Sequence, residues 1–320
     1  MRILSGIQPT GLLHLGNYFG MMRPAIELQD KGEALYFIAD FHALTTLHDP
    51  IALRQNVREV AIDFLAAGLD PQRTCFFRQS DVPCITELAW ILATVAPMGL
   101  MERCHSYKDK VAKGLPASLG LFSYPALMAA DILVYDSDVV PVGRDQKQHI
   151  EVARDLAVKM NETYGPIFKL PEPSIKEETA IVPGTDGLKM SKSYGNTIEL
   201  FLEESALRKK VMGIKTDSTP VDQPKPLENS PILGIYRHVA TASDYAIMEH
   251  DFQQGGIGYG DFKKRLFAAI WDYFIPLRAR RAEILQNPDY IDAVLKEGAE
   301  KANALAAPVM ERVRKAVGLS

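Results

Sequence analysis

Residues 2–17 read RILSGIQPTGLLHLGN, and this stretch decides the fold. Residues 2–5 predict a strand, a Gly/Pro-rich turn follows, and a helix is predicted over residues 16–29. Glycine lets a backbone approach a ligand closely, and the start of a helix offers free N–H groups and a positive dipole end that suit phosphate. The stretch therefore predicts either a phosphate-binding turn or a plain strand-to-helix connection.

The alternation of strand and helix continues outward from this stretch. Buried strands are predicted at residues 34–40, 74–80 and 139–142, and helices at 50–67, 84–95, 124–135 and 145–164. Strands separated by helices indicate an α/β fold with a doubly wound parallel sheet. Such sheets bind ligands at the carboxyl ends of their strands.

The second half of the chain has a different pattern. Residues 169–178 are rich in proline and charge and are interpreted as a connector. Only helices are predicted beyond it, at residues 201–212, 230–241, 262–286 and 290–317. We expect a catalytic domain over residues 1–185, a mobile loop over 186–200 and a helical domain over 201–320, whose last helix can pack back on the first domain.

Composition fits a cytoplasmic enzyme. The 320 residues are 47% hydrophobic and 24% charged, with a net charge of −4. No apolar run approaches the roughly 18 residues of a membrane span, and Gln8 and Pro9 interrupt the start of the chain, which excludes a signal peptide. Cys75, Cys84 and Cys104 lack metal-site spacing and are expected to be reduced thiols.

Common nucleotide and hydrolase motifs are missing from the sequence. There is no GxxxxGK[ST], HExxH or GxSxG, and GGIGYG at residues 255–260 has the wrong spacing for a dinucleotide turn. Dehydrogenase, P-loop and serine hydrolase functions therefore lose support.

The stretch GTDGLKMSKS at residues 184–193 carries two lysines and two serines behind two glycines. Exposed lysines usually do no more than keep a surface soluble. A glycine-hinged loop can also move two ammonium groups onto an anion. We call residues 186–200 the KMSKS loop.

Two further segments carry candidate polar groups. In VPVGRDQKQH, residues 140–149, Asp145 is placed as a helix N-cap or beside a ligand hydroxyl. Tyr124, Met128, Asp131 and Tyr135 share one helix face. A buried Asp131 needs an arginine, a backbone donor or a ligand N–H, and a purely structural partner is an equal alternative.

Taken in order, SGIQPTG, HLGN, ALMAADILVYDSDVVPVGRDQKQHIE and KMSKS resemble the class I aminoacyl-tRNA synthetases, and within them the bacterial tryptophanyl branch. EGAEKAN at residues 297–303 is similar to the tail of that branch. One position departs from the HxGH signature of the class, because its final histidine is Asn17 here. The lysines are therefore expected to carry more of the catalysis.

The resemblance implies a Rossmann-like catalytic domain and a two-step reaction. L-Tryptophan would react with ATP to give an adenylate and pyrophosphate, and the aminoacyl group would then pass to tRNA(Trp). Mg²⁺ is expected to arrive with ATP rather than on protein ligands, and a homodimer is expected.

The resemblance also implies roles for individual residues. The catalytic residues would be Lys189, Lys192, Lys110 and Gln8. ATP would be bound by Gln8, His14 (as a possible cation), Gly16, Asn17, Gly143, Asp145, Met190, Ser191, Lys192 and Ser193. Tryptophan would be bound by Asp131, Tyr124, Gln146, Met128 and His42.

Contacts to tRNA are less specific in the sequence. Three basic clusters, each with the alternative of a solvated helix face, are Arg208, Lys209, Lys210 and Lys215; Lys263, Lys264 and Arg265; and Arg278, Arg280 and Arg281. Alternatives for the whole chain are a tyrosyl relative, a synthetase-like protein without catalysis, and a nucleotidyltransferase with HxGH chemistry.

Overall fold

The strand at the start of the chain is the central strand of a parallel sheet. The computed structural model describes residues 1–104, 114, 118–142, 147–175 and 181–319. In these residues the sheet has five strands in the order β3-β2-β1-β4-β5, all parallel. They are β1 (Arg2–Ile7), β2 (Glu33–Ile38), β3 (Thr74–Arg78), β4 (Val139–Val142) and β5 (Glu172–Ile175). The predicted α/β fold is confirmed.

The strand order reverses between β1 and β4. In doubly wound sheets, the carboxyl ends of the strands at such a reversal are the usual ligand site. The turn after β1, residues 6–17, is called the glycine turn below.

Strand β5 corrects the interpretation of residues 169–178 as a connector. Its four residues pair with β4 from Val139–Glu172 to Val142–Ile175. Proline lacks the N–H that an inner strand needs, but an edge strand tolerates it. The prolines that indicated a linker are therefore compatible with a strand in this position.

Helices cover both faces of the sheet. Between the strands lie α1 (Leu15–Asn17), a π-helical turn (Tyr18–Met22), α2 (Arg23–Leu28), α3 (Asp40–Ala43), α4 (Pro50–Ala66), α5 (Cys84–Val95), α6 (Met98–Arg103), α7 (Leu119–Leu133) and α8 (Lys147–Tyr164). Neighbouring residues of one strand, such as Ile3 and Leu4, belong to different apolar cores because successive side chains point to opposite faces.

The rest of the chain is helical. Its helices are α9 (Glu204–Met212), α10 (Pro231–Val239), α11 (Ala242–Gln254), α12 (Tyr259–Gln286) and α13 (Pro288–Val317). Helix α11 was not predicted, since only Met248 and Phe252 of its 13 residues are buried. Such a narrow apolar contact leaves almost no periodic pattern in the sequence.

Helix α13 returns to the sheet and packs against β3. A Cβ atom on Gly298 would stand 1.8 Å from the backbone oxygen of Phe76. The Cys75 thiol donates to the oxygen of Gly298 at 3.2 Å, and Asn303 Nδ2 donates to the oxygen of Asp81 at 2.9 Å. The end of the chain therefore supports the strand that leads to Gln79.

The three cysteines are free, as expected. Within the described residues, no helix combines the length and the apolar character needed to cross a bilayer.

Candidate active site at the carboxyl edge of the sheet

The glycine turn is organised by a reciprocal helix cap. His14 Nδ1 accepts from the backbone N–H of Asn17 at 3.3 Å, and Asn17 Oδ1 accepts from the N–H of His14 at 3.2 Å. Gly11 has φ +114°, a conformation that favours glycine. The sequence indicated a ligand turn at this place but not this cap, because histidine is not a common N-cap residue.

His14 is neutral in this environment, which corrects its interpretation as a cation. The side chain is buried, and burial together with the nearby charge of Lys192 lowers its pKa to about 4. Because Nδ1 accepts from Asn17, the proton of the neutral ring lies on Nε2. His14 can therefore offer one neutral hydrogen-bond donor.

The KMSKS loop is joined to the glycine turn by backbone hydrogen bonds. The N–H of Leu15 donates to the oxygen of Ile198 at 2.9 Å, and the N–H of Leu200 donates to that of Leu13 at 3.0 Å. Two segments about 180 residues apart in the sequence thus form one short antiparallel contact. The structure brings together the two stretches that the sequence had singled out separately.

Lys192 extends over the glycine turn. Its Nζ atom lies 3.7 Å from the position that a Cβ atom on Gly11 would take. Partial loss of solvent lowers the pKa of Lys192, and Glu199 acts in the opposite direction. An anion above the turn would meet this ammonium group. The N–H groups of Leu15 and Asn17, at the start of the helix, already donate to Ile198 and His14.

Other predicted residues lie on the glycine turn or on the KMSKS loop. Met190 is buried, with its Cβ 3.3 Å from the Cβ position of Gly16. Ser191 Oγ accepts from the N–H of Ser193 at 3.3 Å and so begins the 3₁₀ turn Lys192–Tyr194. Gln8 and Lys189 are exposed.

Asp131 lies in a second cluster at the same edge of the sheet. His42 Nε2 donates to its Oδ2 at 2.8 Å, and Gln79 Nε2 donates to its Oδ1 at 2.7 Å. The sequence left open whether the partner of Asp131 is a ligand or another part of the protein. The structure shows two partners within the protein, the side chains of His42 and Gln79. Burial raises the pKa of Asp131, while the hydrogen bonds from His42 and Gln79 lower it.

Gln79 is a further polar residue of this cluster, and it was not predicted from the sequence. The residue follows β3 directly, and its Oε1 accepts from the N–H of Phe41 at 3.1 Å. It is fully buried, so both ends of its amide are used within the protein. Its position at the carboxyl end of a predicted strand was the available signal.

Tyr124 and Met128 lie on α7 in the turns before Asp131. The Tyr124 hydroxyl is 3.3 Å from His149 Nε2, and its ring centroid is 6.1 Å from that of His42. Met128 is half-buried. The structure therefore groups Tyr124, His42 and Asp131, as expected from the sequence.

Four predicted site residues lie outside the described residues: Lys110, Gly143, Asp145 and Gln146. Among the residues that are described, no three His, Cys, Asp or Glu side chains are grouped closely enough to hold a metal ion.

Many cations of the basic clusters contact other groups of the protein. These contacts are Lys210 with Glu199 at 2.7 Å, Lys264 with Asp261 at 2.9 Å, Arg265 with Asp251 at 2.5 Å, Arg281 with Asp63 at 3.0 Å, and Arg278 over the ring of Trp271 at 4.3 Å. Structural roles thus account for much of this positive charge.

Comparisons with known proteins agree with this geometry. Residues 1–274 match the family model described as tRNA synthetases class I (W and Y). The chain is 50% identical over 319 residues to the tryptophan--tRNA ligase of Fusobacterium nucleatum subsp. nucleatum (99% of this chain, 98% of the relative), and 51% identical over 319 residues to that of Rhodopirellula baltica (100% of both).

Solved structures give the same result. The tryptophanyl-tRNA synthetase of Campylobacter jejuni complexed with ADP and tryptophan superposes with a TM-score of 0.94 at 48% identity, over 100% of both chains. A tyrosyl-tRNA synthetase from Aeropyrum pernix has a TM-score of 0.65 at 21% identity, covering 93% of this chain and 89% of that one, and shows the shared fold alone.

Proposed function

This chain belongs to the class I tRNA synthetases (W and Y), and we propose that it is the ligase that joins L-tryptophan to tRNA(Trp) at the expense of ATP. The family expected from the sequence motifs is confirmed. The observation that carries the proposal is the contact between the KMSKS loop and the glycine turn, because it brings the two signature stretches together and sets Lys192 over the turn.

The first step is attack of the tryptophan carboxylate on the α-phosphorus of ATP. The nucleophile is already an anion, so no general base is needed. The protein must align the reactants and stabilise the charge that develops on the leaving pyrophosphate. Lys192 and Lys189 supply positive charge for this purpose.

The phosphates are held by groups with different properties. His14, neutral and with its proton on Nε2, donates a hydrogen bond, and Gln8, Asn17, Ser191 and Ser193 add polar contacts. Gly16 and the backbone of Met190 lie beside the adenosine. Mg²⁺ would enter with ATP and would neutralise charge on the phosphates.

The indole N–H donates to Asp131 in this proposal. A carboxylate has about four acceptor positions, so the bonds from His42 and Gln79 leave room for one more. Tyr124 holds the α-amino group, and Met128 and His42 line the pocket. The roles of Lys110 at the pyrophosphate, Gly143 and Asp145 near the adenosine, and Gln146 at the amino acid follow from the family motifs.

The second step transfers tryptophan to the 3′ end of tRNA(Trp). We assign residues 1–185 to catalysis, the KMSKS loop to ATP, and residues 201–320 to the anticodon. The enzyme acts as a homodimer in the cytoplasm.

ATP–pyrophosphate exchange with each of the twenty amino acids tests this function. Exchange that depends on tryptophan and not on tyrosine is the expected result. Exchange that depends on tyrosine would identify the tyrosyl alternative. If no amino acid supported exchange, the chain would be a synthetase-like protein that does not catalyse amino-acid activation.

A further inference from the structure

Asn196, three residues after the KMSKS signature (residues 189–193), is almost completely buried although it lies in a loop. Its Oδ1 accepts from the N–H of Ser191 at 2.8 Å. Its Nδ2 donates to Asp186 Oδ1 at 2.7 Å and to the oxygen of Lys189 at 3.1 Å. Both hydrogens of the amide are therefore used, and the side chain ties the segment before the signature to the segment after it.

The neighbouring backbone is shaped to fit this side chain. A Cβ atom on Gly184 would stand 2.3 Å from the amide carbon and nitrogen of Asn196, so glycine is needed at this position. The oxygen of Asn196 accepts from the N–H of Thr185 at 3.0 Å. The sequence suggested that Gly184 is part of a hinge. In the structure it packs closely against the side chain of Asn196.

Asn196 also stands next to the contact with the glycine turn. Ile198, two residues later, accepts from the N–H of Leu15, and Glu199 pairs with Lys210. The chain from residue 196 to 200 is thus fixed to the glycine turn on one side and to α9 on the other. The side chain of Asn196 then connects this fixed segment by hydrogen bonds to the backbone of Lys189 and Ser191.

We propose that Asn196 is a positioning residue, which holds the backbone on both sides of Met190 so that the two lysines are aligned with the glycine turn during adenylate formation. Asn196 itself touches no substrate. The inference rests on the proposed function and deepens it, since the hydrogen bonds of Asn196 set where the charges of Lys189 and Lys192 are presented.

The test compares Asn196→Ala with Asn161→Ala. Asn161 is a matched control, because its side chain also makes three hydrogen bonds: Nδ2 donates to the oxygen of Phe168, and Oδ1 accepts from the N–H groups of Ile167 and Phe168, each at 2.8 Å. It ties a loop that precedes β5, at the amino end of that strand. Exchange kinetics, tryptophan affinity by equilibrium dialysis, and melting temperature are measured for both variants.

Both substitutions are expected to lower the melting temperature. Only Asn196→Ala is expected to lower kcat for tryptophan-dependent exchange, by about tenfold or more, with the tryptophan Kd changed by less than about twofold. Unchanged kcat in Asn196→Ala overturns the inference. An equal loss of kcat in Asn161→Ala also overturns it, because a general loss of stability would then explain both.

Asp186→Ala provides a second measurement that does not depend on the folding of Asn196→Ala. It removes one partner of the asparagine from a partly exposed position and is expected to lower kcat in the same way by a smaller factor. Wild-type kcat in this variant counts against the inference. If the wild-type chain shows no tryptophan-dependent exchange, the proposed function itself fails, and the inference fails with it.

Discussion

Asp131 shows how a buried acid can be stable and still available to a ligand. His42 and Gln79 each donate to it, so it does not depend on substrate for a partner. An amino acid without an N–H at this place would therefore leave Asp131 with two hydrogen-bond partners rather than none. Selectivity must come from the one extra hydrogen bond and from the shape of the pocket.

Asp131→Asn is expected to weaken tryptophan binding far more than ATP binding. The substitution keeps the shape but removes the charge that accepts the indole N–H, at a cost of about 1.5–3 kcal/mol, or roughly 10- to 200-fold in Kd. Equilibrium dialysis with each ligand measures this difference. Asp155→Asn, at an exposed position on α8, is the control. If the affinities for ATP and tryptophan fell equally, Asp131 would not be the residue that binds the indole N–H.

His14 gives a prediction for the pH dependence of stability. Its pKa is about 4 in the folded chain and about 6.5 when unfolded, so the unfolded chain binds more protons between these values. Its contribution to stability is therefore present above pH 6.5 and is lost as the pH falls toward 4.

The measurement is the free energy of unfolding of the wild type and of His14→Asn at pH 7.5 and pH 5. Asparagine can still cap the helix, so the variant should lose less stability than the wild type on acidification. Asp63, whose pKa burial raises to about 6, acts in the opposite direction, but it is present in both proteins and cancels in the comparison. Identical pH dependence would show that His14 does not titrate in this way.

At the scale of residues, the sequence indicated candidate site residues but not the hydrogen bonds between them. His14, Asn17, Asp131 and the two lysines were identified because their types and spacing carry chemistry. Gln79 and Asn196 were missed, since each acts through partners that are distant in the sequence or hidden in a loop. A single sequence gives no signal for such a pairing before the fold brings the partners together.

Among the elements, α4 and α12 are joined by one arginine. Arg281 Nε donates to Asp63 Oδ1 at 3.0 Å, its other end pairs with Glu59, and its guanidinium lies 5.1 Å from the ring centroid of Phe201. Asp63 is buried. The third basic cluster therefore includes a structural tie between the sheet domain and the helical half.

Arg281→Ala is expected to destabilise the protein by about 3–5 kcal/mol, because it leaves the buried carboxylate of Asp63 without its partner. Urea unfolding of the variant measures the loss. Arg280→Ala is the matched control, since the preceding arginine is exposed, and it should change stability by no more than about 0.5 kcal/mol. If both variants lost similar stability, the effect would come from removing any positive charge on α12 and not from the ion pair between Arg281 and Asp63.

The elements that the sequence predicted well are those with a strong period. Strands β1 to β4 and the long helices were close to their observed bounds, because each buries a regular face. Strand β5 was not predicted because its prolines are typical of a linker. Helix α11 was not predicted because few of its residues are buried. Both depend on neighbours rather than on their own pattern.

On the scale of the whole molecule, helix α13 connects the end of the chain to β3. Gly298 permits the helix to approach so closely that a side chain there would overlap the backbone of Phe76. Ala302, Ala306, Val309 and Val313 then continue the buried face along the same core. The sequence predicted a helix over residues 290–317, but it gave no signal for the glycine contact.

Gly298→Ala is expected to lower stability by at least about 1–3 kcal/mol, since helix and strand must move apart. Gly260→Ala is the control. No atom lies within 4 Å of its Cβ position, and alanine favours the helix, so the change should be neutral or stabilising by up to about 1 kcal/mol. Thermal unfolding of both variants checks this, and a wild-type melting temperature for Gly298→Ala would contradict the packing described.

The return of α13 has a consequence for how the protein is made. Asn303 donates a hydrogen bond to the backbone of Asp81, just beyond Gln79, and Gln79 in turn donates to Asp131. This support requires residue 303, so a nascent polypeptide cannot complete it before the middle of α13 has left the ribosome. A chain that ended before this residue would leave the backbone beyond Gln79 without the hydrogen bond from Asn303.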